Sequence, residues 1–250
     1  MAEQLSRRER QLLLMRASVR GAWRANSSLI LLYSGLVAAV TLSYLAQLLV
    51  PGFTQSGELT RTNFWGVVSS IFIHGSPSHL EANVESLFWL TLSVVVLAEV
   101  NRDLFAASSR TFLFWTPFLA AIVSNMAFYI LAPQATSFGA SGVVYAALGL
   151  AVALAFAGLV PELTAVVKRQ PLSKAGRFKL EINLLLSVPF AGLAWASPGG
   201  FLGVGTGANV FVHGLSFTIC LLLGYVYFTL KRHSIMILAN TVPFTSAPNP

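Results

Sequence analysis

The sequence is poor in charged residues and in cysteine. Only 10% of its 250 residues are Asp, Glu, Lys or Arg, whereas a soluble domain carries about 25%. This scarcity excludes an ordinary water-soluble domain and indicates a membrane-embedded chain. A single cysteine, Cys220, excludes any disulfide within the chain. Acidic residues are fewer than basic ones and the net charge is +7. Whether this charge indicates a nucleic-acid partner depends on where the basic residues lie.

Apolar residues are abundant, at 55%, and they fall in long runs. A membrane-spanning helix needs about 20 mostly apolar residues. Six runs approach or exceed that length, and Pro and Gly occupy the connectors between them. We therefore predict an all-α membrane protein with a bundle of six transmembrane helices, the fourth of which ends at Pro161. The predicted spans are 28–50, 79–98, 111–132, 138–160, 181–198 and 207–230.

The basic residues are distributed unevenly between the two sides of this six-span topology. Fifteen of the sixteen would lie on the side of both termini, and only Arg61 on the other. The positive-inside rule then places both termini in the cytoplasm. This asymmetry explains the positive charge without nucleic acid. We expect a multi-pass protein of the cell membrane whose surroundings are the lipid bilayer.

Three parts of the chain are distinguished by composition. Residues 1–26 form a basic cytoplasmic or interfacial segment, 27–230 the membrane domain, and 231–250 a cytoplasmic tail. In the first part, apolar residues recur at helical spacing beside arginines. That pattern fits a short helix on the inner leaflet or a floppy basic tail, and both remain open. The recurring apolar residues are Leu12, Met15, Val19 and Trp23.

Side chains that can act as a nucleophile, a base or a hydrogen-bond donor occur near the starts of the second, fourth and sixth runs. They are Ser141 in the fourth run, His79 and Asn83 in the second, and His213 in the sixth. All three runs would enter the membrane from the outer face. At 1.5 Å per residue, these side chains lie within about 10 Å of their helix starts. Three segments distant in sequence are thus predicted to meet at one depth.

These residue types suit nucleophilic acyl transfer. Ser141 is a weak nucleophile that needs a base, and a neutral His213 can act as that base. His79 and Asn83 lie four residues apart on one helix face. They can donate hydrogen bonds, with the Ser141 backbone N–H, to an oxyanion. Tyr145 can stack on the His213 ring. Because the sixth run has no Asp at matching depth, we expect a Ser–His dyad, not a triad.

Small residues surround the serine. Gly139 and Gly142 flank it and would let a substrate backbone approach the hydroxyl. Gly142 also belongs to a small-residue stripe in the fourth run, which faces a similar stripe in the sixth. Such stripes allow two helices to pack closely in a membrane. The stripes are Gly142, Ala146 and Gly149, and Ser216, Cys220 and Gly224.

Three motifs resemble the rhomboid intramembrane serine proteases: GASGVVYAALG at 139–149, HGSPSHLEAN at 74–83, and a histidine in the last run. The resemblance covers roughly 28–230. It implies an outward-open, water-filled cavity and a serine endopeptidase that cleaves single-span membrane proteins near the outer face, without cofactor or metal. It implies Ser141 as nucleophile, His213 as base, and His79, Asn83 and the Ser141 amide at the oxyanion. Supporting roles are expected for His74, Tyr145, Gly139 and Gly142.

The sequence departs from this family at two places. Trp65 resembles the tryptophan of a Trp-Arg pair in the first outer loop, but Gly66 replaces the arginine and is expected to loosen that loop. In the last run the family pattern is His-x2-Gly-x3-Gly. Here Ser216 and Cys220 replace the glycines, and both are small enough to preserve close packing.

Two acidic residues in the second run are unusual for a spanning helix. Glu81 and Glu85 lie about 200° around the helix from His79 and Asn83. We therefore expect both carboxyl groups to face away from the site, either protonated or bonded to a neighbouring helix.

Three other functions were weighed. A metalloprotease using His74, His79, His213, Glu81 and Glu85 would need an HExxH motif, which is absent. A small-solute transporter tends to show paired repeats and broken helices, and the sequence shows no repeat. A catalytically inactive relative that binds or escorts membrane proteins would be expected to lack the serine or the histidine, and both are present.

Overall fold

The computed structural model describes residues 7–104, 110–132, 136–197, 199, 201 and 209–241. Throughout these residues the secondary structure is helical, apart from two isolated β-bridges in the loops. Two short 3-10 turns, Ser70–Phe72 and Arg102–Leu104, accompany eight α-helices whose bounds lie in the described part of the chain. The helices are α1 (Arg7–Leu49), α2 (Phe53–Gly57), α3 (Gly66–Ser69), α4 (Pro77–Val100), α5 (Phe112–Leu131), α6 (Ser141–Val167), α7 (Lys174–Ala196) and α8 (Val210–Thr241).

Five of the described helices are long and apolar enough to cross a membrane, which makes this an integral multi-pass membrane protein. They are α1 from Arg20 onward, α4, α5, α6, and α8 as far as Lys231. The long helix α7 is not among them. Its first part, 174–181, carries four charged residues, so its apolar part is shorter than the roughly 20 residues that a span needs. Six spans and cytoplasmic termini therefore stay predictions.

Several helix boundaries differ from the predicted ones. Helix α1 is continuous across residues 26 and 27, so the basic segment is not a separate short helix. Helix α6 continues past Pro161 to Val167, and the prediction that this proline ends it was wrong. A proline removes one backbone donor and crowds one carbonyl, a loss that membrane helices tolerate. Helix α8 extends into the predicted tail, and residues 242–250 lie outside the described part.

Helix α6 lies at the centre of the bundle, in contact with α4, α5, α7 and α8. Its small residues explain how α8 comes so close. A Cβ on Gly149 would collide with the carbonyl of Phe217, and one on Gly224 would lie 2.8 Å from the Ala153 Cβ. Close approach of backbones is the typical use of small residues between membrane helices. It brings the start of α6 beside the start of α8.

Polar side chains connect the helices at the opposite end of the bundle. Asn101, after α4, donates to Asn183 of α7 at 2.9 Å and accepts from it at 3.2 Å. Gly158 of α6 leaves the room for this amide pair, because a Cβ there would overlap the Asn101 side chain. Interhelical hydrogen bonds of this kind stabilise membrane bundles. They join α4 and α7 far from the starts of α4, α6 and α8.

Candidate active site

Ser141 and His213 are in direct contact at the start of α6 and α8. Ser141 Oγ lies 2.7 Å from His213 Nε2. The histidine is only 4% exposed and belongs to the first turn of its helix. That turn is ordered by Asn209, whose side-chain oxygen accepts from the Val212 backbone N–H at 3.1 Å, a helix cap. The structure therefore brings the predicted hydroxyl and the predicted base together.

Tyr145 lies flat against the imidazole of His213. The ring centroids are 4.2 Å apart and the planes differ by 16°. The tyrosine hydroxyl donates to the backbone carbonyl of Phe201, and the rings of Tyr145 and Phe201 also meet edge to face. Because the tyrosine is held at its tip, its ring restricts rotation of the imidazole. The predicted stacking is thus present.

Ser141 is the first residue of α6, since the chain before it is not helical. This corrects the predicted start at 138. Gly139 adopts a φ of 109°, a conformation that side chains with a Cβ rarely reach. Its N–H donates to the Ser70 carbonyl at 2.8 Å, and Ser137 exchanges two backbone hydrogen bonds with Leu59. The loop between α1 and α4 therefore fixes the approach to the serine.

His79 and Asn83 of α4 lie over Gly139. A Cβ at Gly139 would be 2.7 Å from His79 Nε2 and 3.5 Å from Asn83 Nδ2. The start of α4 is set by Ser76, which accepts from the His79 N–H at 3.1 Å. Asn83 is 5% exposed, and its Nδ2 has no hydrogen-bond partner among the described residues. A buried donor left unpaired is costly, and this one lies where a ligand oxygen beside Ser141 could accept from it.

His74 supports the turn from the other side. It is 1% exposed, and its Nε2 accepts from the Ala140 N–H at 3.4 Å. Burial, and the nearby imidazole of His79, lower the pKa of His74 to about 4, so the ring is neutral and able to accept. Gln47 of α1 holds the His74 backbone through two hydrogen bonds of 2.9 and 3.0 Å. Gln47 is not among the residues predicted for the site, although a long polar side chain near the end of an apolar run is a usable signal.

A cavity of about 870 Å³ opens beside these residues. Its lining includes Ser141, His213, His79, Asn83 and Tyr145. It then continues along α4 toward α7, where Phe190 contributes to the wall, and it is large enough for several residues of a peptide. The part of α4 that lines it beyond Asn83 comprises Glu85, Ser86, Trp89, Leu90 and Ser93.

Glu85 therefore lines the cavity, and the prediction that it faces away was wrong. The error arose because the cavity extends around α4 toward α7 and uses more than the helix face of His79 and Asn83. Glu81 is exposed and does not line the cavity. Neither carboxylate has an ion pair or a hydrogen bond within the described part of the chain. The expected polar partner on a neighbouring helix is thus not found for either.

Gly66 is closely packed in the first loop, and the expected loosening by the missing arginine stays a prediction. The residue is buried, and a Cβ would come within 2.7 Å of the Leu59 backbone nitrogen. The loop is further tied to α5, because Asn125 Nδ2 donates to the Val67 carbonyl at 3.1 Å and to Ser70 Oγ at 3.2 Å. Trp65 next to it is 78% exposed.

No metal site is formed by the described residues, since no three His, Cys, Asp or Glu side chains group as ligands there. His74 and His79 meet edge to face, with centroids 5.1 Å apart. The metalloprotease alternative therefore has no ligand set in this part of the chain.

In a comparison with known families, residues 61–173 match the model of the rhomboid domain. The matched segment includes His74, His79, Asn83 and Ser141, whereas His213 lies beyond it. A comparison with curated proteins found no match.

Proposed function

The chain belongs to the rhomboid family, and on that premise we propose that it is an intramembrane serine endopeptidase that cleaves single-span membrane proteins with a Ser–His dyad. The observation that carries the proposal is the 2.7 Å contact between Ser141 Oγ and His213 Nε2, which lies in the wall of a cavity of about 870 Å³. An inactive factor that only binds or escorts membrane proteins has no need to pair a nucleophile with a base.

In the first half of the reaction, neutral His213 accepts the Ser141 proton as Oγ attacks the scissile carbonyl carbon. The carbonyl oxygen becomes an oxyanion. Asn83 Nδ2, His79 and the Ser141 backbone N–H are the donors available to it. Ser141 opens α6, and the N-terminal end of a helix favours negative charge. The Asn83 donor, which has no partner among the described residues, gains one at this stage.

Collapse of that intermediate breaks the peptide C–N bond. His213 gives its proton to the leaving amine, and the acyl group remains on Ser141 as an ester. A water then attacks the ester carbonyl and passes a proton to His213. The second intermediate releases a carboxylic acid as the proton returns to Ser141. Tyr145, stacked on the imidazole, keeps the ring oriented through both halves.

The position of the site determines which part of a substrate can be cut. A spanning helix keeps its carbonyls in backbone hydrogen bonds, so the scissile segment must unwind before it reaches Ser141. Glycine lowers the cost of unwinding by about 1 kcal/mol and proline by about 3 kcal/mol. We therefore infer cleavage at a small residue near a helix breaker. The cut lies near the end of the substrate's span that meets the starts of α4, α6 and α8, which the predicted topology makes the outer end.

The test combines labelling with cleavage in proteoliposomes. A fluorophosphonate should label the wild-type protein and Ser124→Ala, a control serine that donates only to its own helix at 2.8 Å, but not Ser141→Ala. Cleavage of a model single-span protein should fall by at least about 10⁴-fold in Ser141→Ala and His213→Ala. Near wild-type cleavage by Ser141→Ala would refute the serine mechanism. A wild-type protein that binds model substrates without labelling or cutting would favour the escort alternative.

A further inference from the structure

Glu85 is the only Asp, Glu, Lys or Arg among the described residues that line the cavity. Its side chain is exposed and makes no ion pair or hydrogen bond with any described residue. It lies eight residues into α4, about 12 Å along the helix. An unpaired acid at such a depth is rare in membrane helices, and where one occurs it usually serves function.

The neighbours of Glu85 form a groove that continues inward from the dyad. They occur at spacings of three and four residues and so share one face of α4. From the first to the last they are eleven residue steps apart, which covers about 16 Å of helix. Two serines and an alanine leave room on this face, and a tryptophan gives it an apolar surface. The groove residues are Ala82, Glu85, Ser86, Trp89 and Ser93.

A substrate bound for cleavage has to pass this groove. Its unwound segment lies over Ser141 and Asn83, and the remaining helix continues deeper into the membrane. Glu85 follows Asn83 by two residues, about 3 Å further along α4. The side chain that meets this carboxylate therefore belongs to the substrate's own span, a few residues inward of the cut.

A basic side chain is the complement that this carboxylate lacks. Lysine and arginine inside a spanning helix are as costly as an unpaired acid, and intramembrane charges usually pair. Among the described residues, the cavity offers no cation that would compete. The long stem of a lysine or arginine could lie on Trp89, one turn below Glu85, while its charged end reaches the carboxylate.

We propose that Glu85 is a specificity residue that selects substrates carrying a lysine or arginine in their span, a few residues inward of the scissile bond. This rests on the proposed protease activity. A charge-assisted hydrogen bond between partners that are otherwise unpaired corresponds to about a ten- to hundredfold preference over a neutral substrate.

The experiment compares matched substrates in proteoliposomes. One model single-span protein is made with Lys, Met or Glu at each position from two to eight residues inward of the cut, and kcat/KM is measured for every member. The enzymes are the wild type, Glu85→Gln and Glu85→Lys. Glu81→Gln is the matched control, since Glu81 is exposed on the same helix outside the cavity.

We expect the wild type and Glu81→Gln to prefer Lys over Met by about tenfold or more at one position or two adjacent ones. The Lys-to-Met ratio should fall to near one in Glu85→Gln, and Glu85→Lys should favour the Glu substrate. A wild-type ratio equal to that of Glu85→Gln at every position would overturn the inference. Cleavage of the Met substrate by the wild type but not by Ser141→Ala shows in the same assay that the protease proposal holds independently.

Discussion

Replacing Gly139 by alanine tests whether the turn before Ser141 builds the oxyanion site. The new Cβ would lie 2.6 Å from His79 Cε1 and 2.7 Å from His79 Nε2, well inside van der Waals contact. The φ of 109° adds backbone strain of about 1–3 kcal/mol. The imidazole has to move, so one proposed donor to the oxyanion would be lost. Loss of one such donor lowers kcat by about 10²–10³-fold.

Gly52→Ala separates the two effects. Gly52 also has a positive φ, 80°, but nothing lies within 4 Å of its Cβ position, so it carries strain without a collision. Thermal unfolding and steady-state cleavage of a model substrate should be measured for both variants. We expect both to lower Tm and only Gly139→Ala to lower kcat by about 10²-fold or more. Equal kcat values in the two variants would refute the proposed role of His79 as a donor to the oxyanion.

Three further predictions concern the oxyanion site, the packing and pH. Asn83→Ala should lower kcat by about 10²–10³-fold, clearly less than Ser141→Ala does, and equal losses would remove it from the oxyanion site. Gly149→Ala should lower Tm and cleavage because its Cβ meets a carbonyl of α8, with overpacking of about 1–3 kcal/mol. Gly192→Ala, inside α7 with open space around it, should lower neither. The pKa of His74 is about 4 when folded and 6.5 as a free side chain, so between these values the unfolded chain binds a proton that the folded protein does not. The free energy of unfolding should therefore fall by about 3 kcal/mol as pH drops from 6.5 to 4. Thermal melts at several pH values should show that His74→Gln lacks this dependence of stability on pH.

The composition of the candidate site could be anticipated because polar groups are conspicuous in apolar runs. Ser141, His213, His79 and Asn83 stand out for that reason, and helices in alternating directions place the second, fourth and sixth starts at one end. The structure brings these residues together around Gly139. The roles assigned to them stay predictions until the variants are assayed.

The shape of the cavity could not be anticipated in the same way. Glu85 was assigned to the wrong side because helical angles describe one helix, whereas the cavity is bounded by several. The predicted start of α6 is three residues too early. Gly139 is not helical, because its φ is positive and its N–H donates to the Ser70 carbonyl in a distant loop. Gln47 was overlooked because its partner, the His74 backbone, lies in a loop remote in sequence.

The amino-acid sequence by itself determined that this is a helical membrane protein and which side chains can do chemistry. Hydrophobicity, charge and residue type are properties of each position and need no neighbours to be read. The tertiary structure alone decided how far apart those side chains lie, which face of α4 borders the cavity, and that Glu85 has no partner among the described residues. These depend on the close approach of α6 and α8 at Gly149 and on a loop hydrogen-bonded ahead of Ser141, which are contacts between segments distant in the chain.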